Sequence, residues 1–126
     1  MGLLPDYSKQ TRCYDHTRSA RPTAPRALLR ALENAPGRRL LEIGGGTGNY
    51  AVALKREGWE PAVVDRSREM LARATAKGLE TVHADAQRLP FADETFDAAT
   101  MISMLHHVDD QAAALAEARR VLEPGG

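Results

Sequence analysis

The sequence predicts an α/β fold built on a doubly wound, mostly parallel sheet, on three observations. Short apolar runs alternate with segments of helical period from about residue 24 to the end of the chain. The first of those runs passes straight into a cluster of glycines, LEIGGGTG. Acidic residues then close the next two runs, at Asp65 and Asp85. Right-handed crossovers turn such an alternation into parallel strands covered on both faces, and a closed barrel would need about twice this length.

The elements follow in order. Residues 1–22 are polar and interrupted by Pro5 and Pro22, which suits an arm with one short helix over about 8–18. A helix should begin near Thr23 or Pro25, because threonine caps and proline is tolerated in a first turn. Leu28 and Leu32 recur there at helical spacing beside Ala24, Ala31 and Ala35, and Pro36-Gly37 ends the pattern. Residues 39–43 read as a buried strand entering the glycine turn. A helix over about 49–56 follows, with Ala51, Val52 and Leu54 facing inward and Gly58 at its end. Residues 61–65 make the second strand. Arg66 or Ser67 starts a helix that carries Met70, Leu71 and Ala74 and stops at Gly78.

The third strand is expected over 79–83, running out at Ala84-Asp85. Leu89-Pro90-Phe91 falls in a loop, and Asp93-Glu94 reads as a solvated turn. Residues 96–101 make the fourth strand. Asp109 or Asp110 caps a last helix, on which Leu115, Ala118 and Leu122 share a face. This divides the chain into an arm and helix over 1–38, which would cover the site, and an α/β core over 39–126.

Composition bounds the partners. Hydrophobic residues make up 43% and charged residues 27%, as in a soluble globular domain. The 17 basic and 17 acidic residues balance, but unevenly along the chain: up to Arg39 there are 8 basic against 3 acidic, and beyond it 9 against 14. The early arginines, Arg12, Arg18, Arg21, Arg26 and Arg30, are scattered rather than continuous, so no nucleic-acid partner is expected. An arm folding back on an acidic body accounts for the same asymmetry. Cys13 is the only cysteine, which leaves no intrachain disulfide and no cysteine zinc site. No stretch approaches the roughly 20 apolar residues of a membrane span, and the opening residues lack a signal peptide's apolar core. A cytoplasmic protein without membrane or metal is the expectation.

The chemistry lies in the glycine turn and the acids after it. Gly44, Gly45, Gly46 and Gly48 allow a sharp turn and a close approach of ligand to main chain, and the helix behind them offers free N–H groups. A dinucleotide fingerprint wants glycine at the first, third and sixth positions. Counted from Gly44, the sixth is Asn49, and no lysine follows Gly48 as in a phosphate loop. The turn therefore suits a nucleoside without pyrophosphate. Asp65, 23 residues beyond Glu42, can accept both hydroxyls of a ribose. Asp85 repeats the placement one strand later, where it could take an adenine amine with Ala86 offering a backbone donor.

LEIGGGTG, VVDRS, HADAQRLPF, FDAATM and RVLEPGG, in this order, resemble the class I S-adenosylmethionine-dependent methyltransferases. The likeness is closest to the small-molecule branch of ubiquinone and menaquinone biosynthesis, and runs from about Tyr7 to Gly126. It implies a Rossmann-like sheet, S-adenosyl-L-methionine as cofactor and a small, largely apolar methyl acceptor. Glu42 and the glycine turn are similar to the motif lying against the methionine portion and sugar. Asp65 is similar to the ribose acid, with Arg66 and Met70 near the adenine, and Asp85 and Ala86 to the adenine pair. Tyr14 and Arg18 resemble the leading segment that closes over the methionine end, Arg18 pairing with its carboxylate. Asp97 looks structural, whereas Ile102 and Ser103 should lie near the sulfonium.

His106 and His107 follow the fourth strand and are the candidate proton acceptors for the nucleophile, since histidine suits proton transfer at neutral pH. Adjacent side chains point differently, so one should face the cavity. Members of this branch turn at a PGG into a fifth strand. A sheet stopping after the fourth strand and its helix is therefore expected, with an edge open to self-association. Two alternatives stay open: a nicotinamide-dependent dehydrogenase, disfavoured by Asn49, and a cofactor-binding domain acting as a non-catalytic folding or interaction unit.

Overall fold

A computed structural model describes residues 24–102, 104 and 107–126. The predicted arm, including Tyr7, Tyr14 and Arg18, lies outside the described residues, as do Ser103, Leu105 and His106. Helix α1 spans Arg26–Leu32 behind Pro25, and β1 spans Arg39–Ile43. Then come α2 (Asn49–Arg56), β2 (Glu60–Asp65), α3 (Arg68–Ala76), β3 (Glu80–His83), β4 (Ala98–Thr100) and α4 (Gln111–Arg120). The four strands are ordered β3-β2-β1-β4, and every pairing is parallel.

The run Arg39-Leu40-Leu41-Glu42-Ile43 is buried on both faces, which explains why it lacks polar alternation. Leu41 and Ile43 point to one side with Ala62 and Val64, against Ala86, Leu89, Phe96, Ala114 and Val121. Leu40 points to the other side with Ala98, Leu54, Trp59 and Leu32. Val63 shares that second face, under Ala51, Leu71, Ala74 and Leu79. Glu42, between Leu41 and Ile43, belongs by its period of two to the face of Leu40 and Val63.

Two helix starts are capped by side chains. Ser67 Oγ accepts from Met70 N at 3.2 Å, and Asp110 Oδ1 accepts from Ala113 N at 3.0 Å. At the amino ends of the strands, Asp97 accepts from the Arg39 backbone N at 2.9 Å and from its guanidinium Nε at 3.1 Å. That guanidinium holds the Asp97 carboxyl below the usual carboxylate range, and Glu123 receives its other arm at 3.3 Å. Asp97 is thus structural, as its sequence position suggested.

Several expectations are corrected. β4 is three residues long rather than six, because Phe96 pairs instead with the chain after α4: its N–H donates to Val121 O and its carbonyl accepts from Glu123 N, each at 2.8 Å. Leu115 does not join the buried face of α4. It is 51% exposed, one step round the helix from Ala114, which is fully buried. Ala53 is buried on α2 beside Ala51 and Leu54, while Val52 is half-buried against the cluster of Val63 and Leu71. The turn at Asp93-Glu94 is exposed as expected, and Arg120 braces it through Asp93 Oδ1 and Phe91 O at 2.8 Å and Leu89 O at 3.0 Å.

Candidate functional site

The strand order places β2 and β3 on one side of β1 and β4 on the other, so the direction of winding reverses between β1 and β4. Ligands of such sheets bind outside the carboxyl ends of the strands at that reversal. The glycine turn leaves β1 at this point. Gly44 N and Gly45 N donate to Val64 O at 2.7 and 3.2 Å, fastening the turn to β2. Gly44, Gly46 and Gly48 have φ of +70°, +59° and +82°, left-handed values that side chains seldom adopt. Gly48 is also the residue from which α2 starts, without a side-chain cap.

Asp65, half-buried at the end of β2, holds the turn directly. Its Oδ2 accepts from Gly46 N at 2.9 Å and its Oδ1 from Ser67 N at 2.8 Å. A carboxylate has about four acceptor positions, so both oxygens keep capacity for further donors. Met70 is buried, with its thioether against Gly46, while the Arg66 side chain is exposed and its carbonyl accepts from His83 Nε2 at 2.8 Å. Asp85 stands half-buried after β3, its Oδ1 accepting from Gln87 N at 2.9 Å, and Ala86 is buried against the sheet. Ile102 and His107 are half-buried beyond β4, and His107 N donates to Met104 O at 2.9 Å.

Glu42 is the most unusual group of the site. It is 2% exposed, and its Oε1 has no hydrogen-bond partner among the described residues. Burial pushes its carboxyl up to about 8; the Ala51 N–H opposes the shift and the Asp65 charge adds to it. The folded state therefore keeps a proton that the unfolded chain gives up near pH 4.5. Stability tied to Glu42 is full below that value, declines as pH rises towards 8, and is level above it. Glu42→Gln, which cannot ionise, should gain on the parent between pH 5 and pH 8, by about 1–3 kcal/mol. Thermal melts of the pair at both pH values check this; a gap independent of pH would contradict it.

Three neighbours of the turn were not evident in the sequence. Met104 lies where a Cβ on Gly44 would stand, 2.6 Å from its Cγ. Lys77 Nζ donates to Thr47 O at 3.0 Å and to Asn49 Oδ1 at 2.7 Å, bracing the start of α2 from the end of α3. Thr100 is the register partner of Glu42 on β4. No short motif joins these residues to the turn; only the folded crossover does.

The residues present fit an S-adenosylmethionine-like ligand. The turn runs through left-handed main chain, half-buried at Gly44 and Gly45 and buried at Gly46 and Gly48, two carboxylates stand at successive strand ends, and buried Glu42 Oε1 and Thr100 Oγ1 lack partners among the described residues. No helix among the described residues is long and apolar enough to cross a membrane.

Comparison with known proteins agrees with this arrangement. The methyltransferase domain family matches residues 41–126. Demethylmenaquinone methyltransferases of Mycobacterium tuberculosis and Mycobacterium bovis are 42% identical over 101 residues, which is 80% of this chain and 43% of theirs. The chain thus spans less than half the length of these relatives. A SAM-dependent methyltransferase of Thermotoga maritima superposes with a TM-score of 0.72 at 32% identity, over 93% of this chain and 55% of that one. A methyltransferase structure from Methanococcus maripaludis, at 19% identity, shares the fold with a TM-score of 0.82 over 94% of this chain and 61% of its own. With the family match covering the turn, the strand-end acids and the last helix, the chain belongs to the methyltransferase domain family.

Proposed function

We propose that the chain binds S-adenosyl-L-methionine and takes part in methyl transfer to a small, largely apolar acceptor of the quinone class. The observation that carries this reading is the bond from Gly46 N to Asp65 Oδ2, which joins a left-handed glycine turn to a strand-end acid. The acceptor class is suggested by the demethylmenaquinone methyltransferases, at 42% identity.

When bound, the cofactor supplies a methyl group on a positively charged sulfur. The protein's task is then alignment, because the leaving group is already good. Asp65 would hold the ribose hydroxyls, and Asp85 with Ala86 the adenine, Arg66 and Met70 standing nearby. Glu42 and the turn of Gly44, Gly45, Gly46 and Gly48 would face the sugar and methionine portion, with Tyr14 and Arg18 closing over it. Ile102 and Ser103 would border the sulfur. Either His106 or His107 would take the proton from a ring hydroxyl of the acceptor, raising electron density at the attacking atom.

The test is incubation with cofactor labelled in its methyl group and a demethylated naphthoquinol. Label should pass to the quinol, and one of His106→Ala and His107→Ala should lower the rate about 100-fold or more while cofactor binding persists. Cofactor binding without transfer to any quinol would overturn the acceptor class. Absence of binding would overturn the whole reading.

A further inference from the structure

We propose that Gln87 is a positioning residue that couples Asp85, the acid assigned to the adenine, to the segment carrying His107, so that filling the cofactor end sets the acceptor end. The inference rests on the reading above. Two bonds made by one residue carry it. Gln87 N donates to Asp85 Oδ1 at 2.9 Å, and Gln87 Oε1 accepts from Asp110 N at 2.6 Å.

Asp110 caps α4: its Oδ1 accepts from Ala113 N at 3.0 Å and its carbonyl from Ala114 N at 3.2 Å. With its N–H held by Gln87 as well, the residue is fastened on both sides. The chain between β4 and α4 is thus fixed at two ends, by the pairing of β4 with β1 as far as Thr100 and by Gln87 at Asp110. Between them His107 N donates to Met104 O at 2.9 Å, and the Met104 side chain stands where a Cβ on Gly44 would be. The segment therefore meets the glycine turn at Met104 and the loop after β3 at Asp110. His107 is three residues from the second contact.

The far end of that loop is held separately. Leu89 N donates to Glu117 Oε1 at 2.8 Å, and Leu89 O accepts from Arg120 Nη2 at 3.0 Å. Leu89 is anchored to the end of α4, so the loop does not swing freely, and a shift at Asp85 passes through the Gln87 side chain to the start of α4. The bond to Asp85 uses the Gln87 main chain, whereas the bond to Asp110 uses its side chain. A substitution at this position cuts the second and spares the first.

The test follows backbone amide resonances of the full chain through a titration with S-adenosylhomocysteine. In the parent, the Asp110 and His107 amides should shift and saturate together with those of Asp85 and Ala86. Gln87→Met keeps the length of the side chain without its amide oxygen. There Asp85 and Ala86 should still shift, Asp110 and His107 should lose most of their response, and calorimetric affinity should stay within about threefold. Hydrogen exchange at the Asp110 amide should quicken about tenfold, the worth of one hydrogen bond. Gln87→Glu, which keeps an acceptor, should restore both the response and the protection. Should Gln87→Met fail to fold, Gln87→Ala read against Gln87→Glu gives the same comparison. Ligand binding that leaves the parent's Asp110 and His107 amides unmoved, or a response in Gln87→Met equal to the parent's, would overturn the coupling and leave the proposed function intact. A parent chain that does not bind the ligand would overturn the proposed function and this inference with it.

Discussion

Asp65→Ala is expected to weaken S-adenosylhomocysteine binding by about 100-fold or more. The acid would accept two ribose hydroxyls, and hydrogen bonds to a charged acceptor are worth about 1.5–3 kcal/mol each. The same carboxylate ties Gly46 N and Ser67 N at 2.9 and 2.8 Å, so its removal also loosens the turn and the start of α3. Asp65→Asn keeps only one of the two backbone bonds: its amide oxygen can accept from Gly46 N or Ser67 N while its amide nitrogen faces the other donor, so ligand affinity and melting temperature should both fall. His107→Ala should change calorimetric affinity by no more than about threefold. Equal losses for the Asp65 and His107 variants would contradict the assigned roles.

Gly48→Ala should be the most damaging single methyl group in the turn. At φ +82° the backbone is left-handed, which costs a residue with a side chain about 1–2 kcal/mol. The added Cβ would also run into the Leu79 side chain and stand 3.3 Å from Ala74 Cβ, where the core beneath α2 and α3 is closed. Overpacking of this kind adds about 1–3 kcal/mol. A melting temperature lower by about 10 °C or more is expected from the sum. Gly58→Ala is the control, since φ is +95° there but nothing lies within 4 Å of the new methyl. Equal effects in thermal melts would show that packing against Leu79 is unimportant.

The sheet was legible because its signals are local. Residues 39–43 and 49–56 agree with β1 and α2 at both ends, since a buried run, a glycine turn and a helix occupy one contiguous stretch. Crossover handedness and the alternation of strand and helix point to a doubly wound sheet, while the order β3-β2-β1-β4 emerges only in the fold. The fourth strand was misjudged because apolarity shows that Phe96 is buried but not that it pairs with the segment after α4. Leu115 was misplaced for a related reason: α4 turns small alanines to the sheet, and hydrophobicity alone ranks leucine above them.

The site divides in the same way. The glycines and the acids at 65 and 85 are strand-end features that a reader of the chain can count. Thr100 and Lys77 are separated from their partners by 58 and 28 or more residues, and only register or a reaching side chain brings them together. Glu42 was recognised by its motif, but its unusual protonation comes from burial between helices and sheet, which no spacing reveals.

The central claim is that the glycine turn and two strand-end carboxylates grip one nucleoside. Backbone amide resonances followed through a titration with S-adenosylhomocysteine test it most directly. Saturable shifts concentrated at Gly44, Gly46, Gly48, Asp65, Asp85 and Ala86 are expected. Saturation with those amides unmoved, and the shifts gathered on another surface, would contradict it.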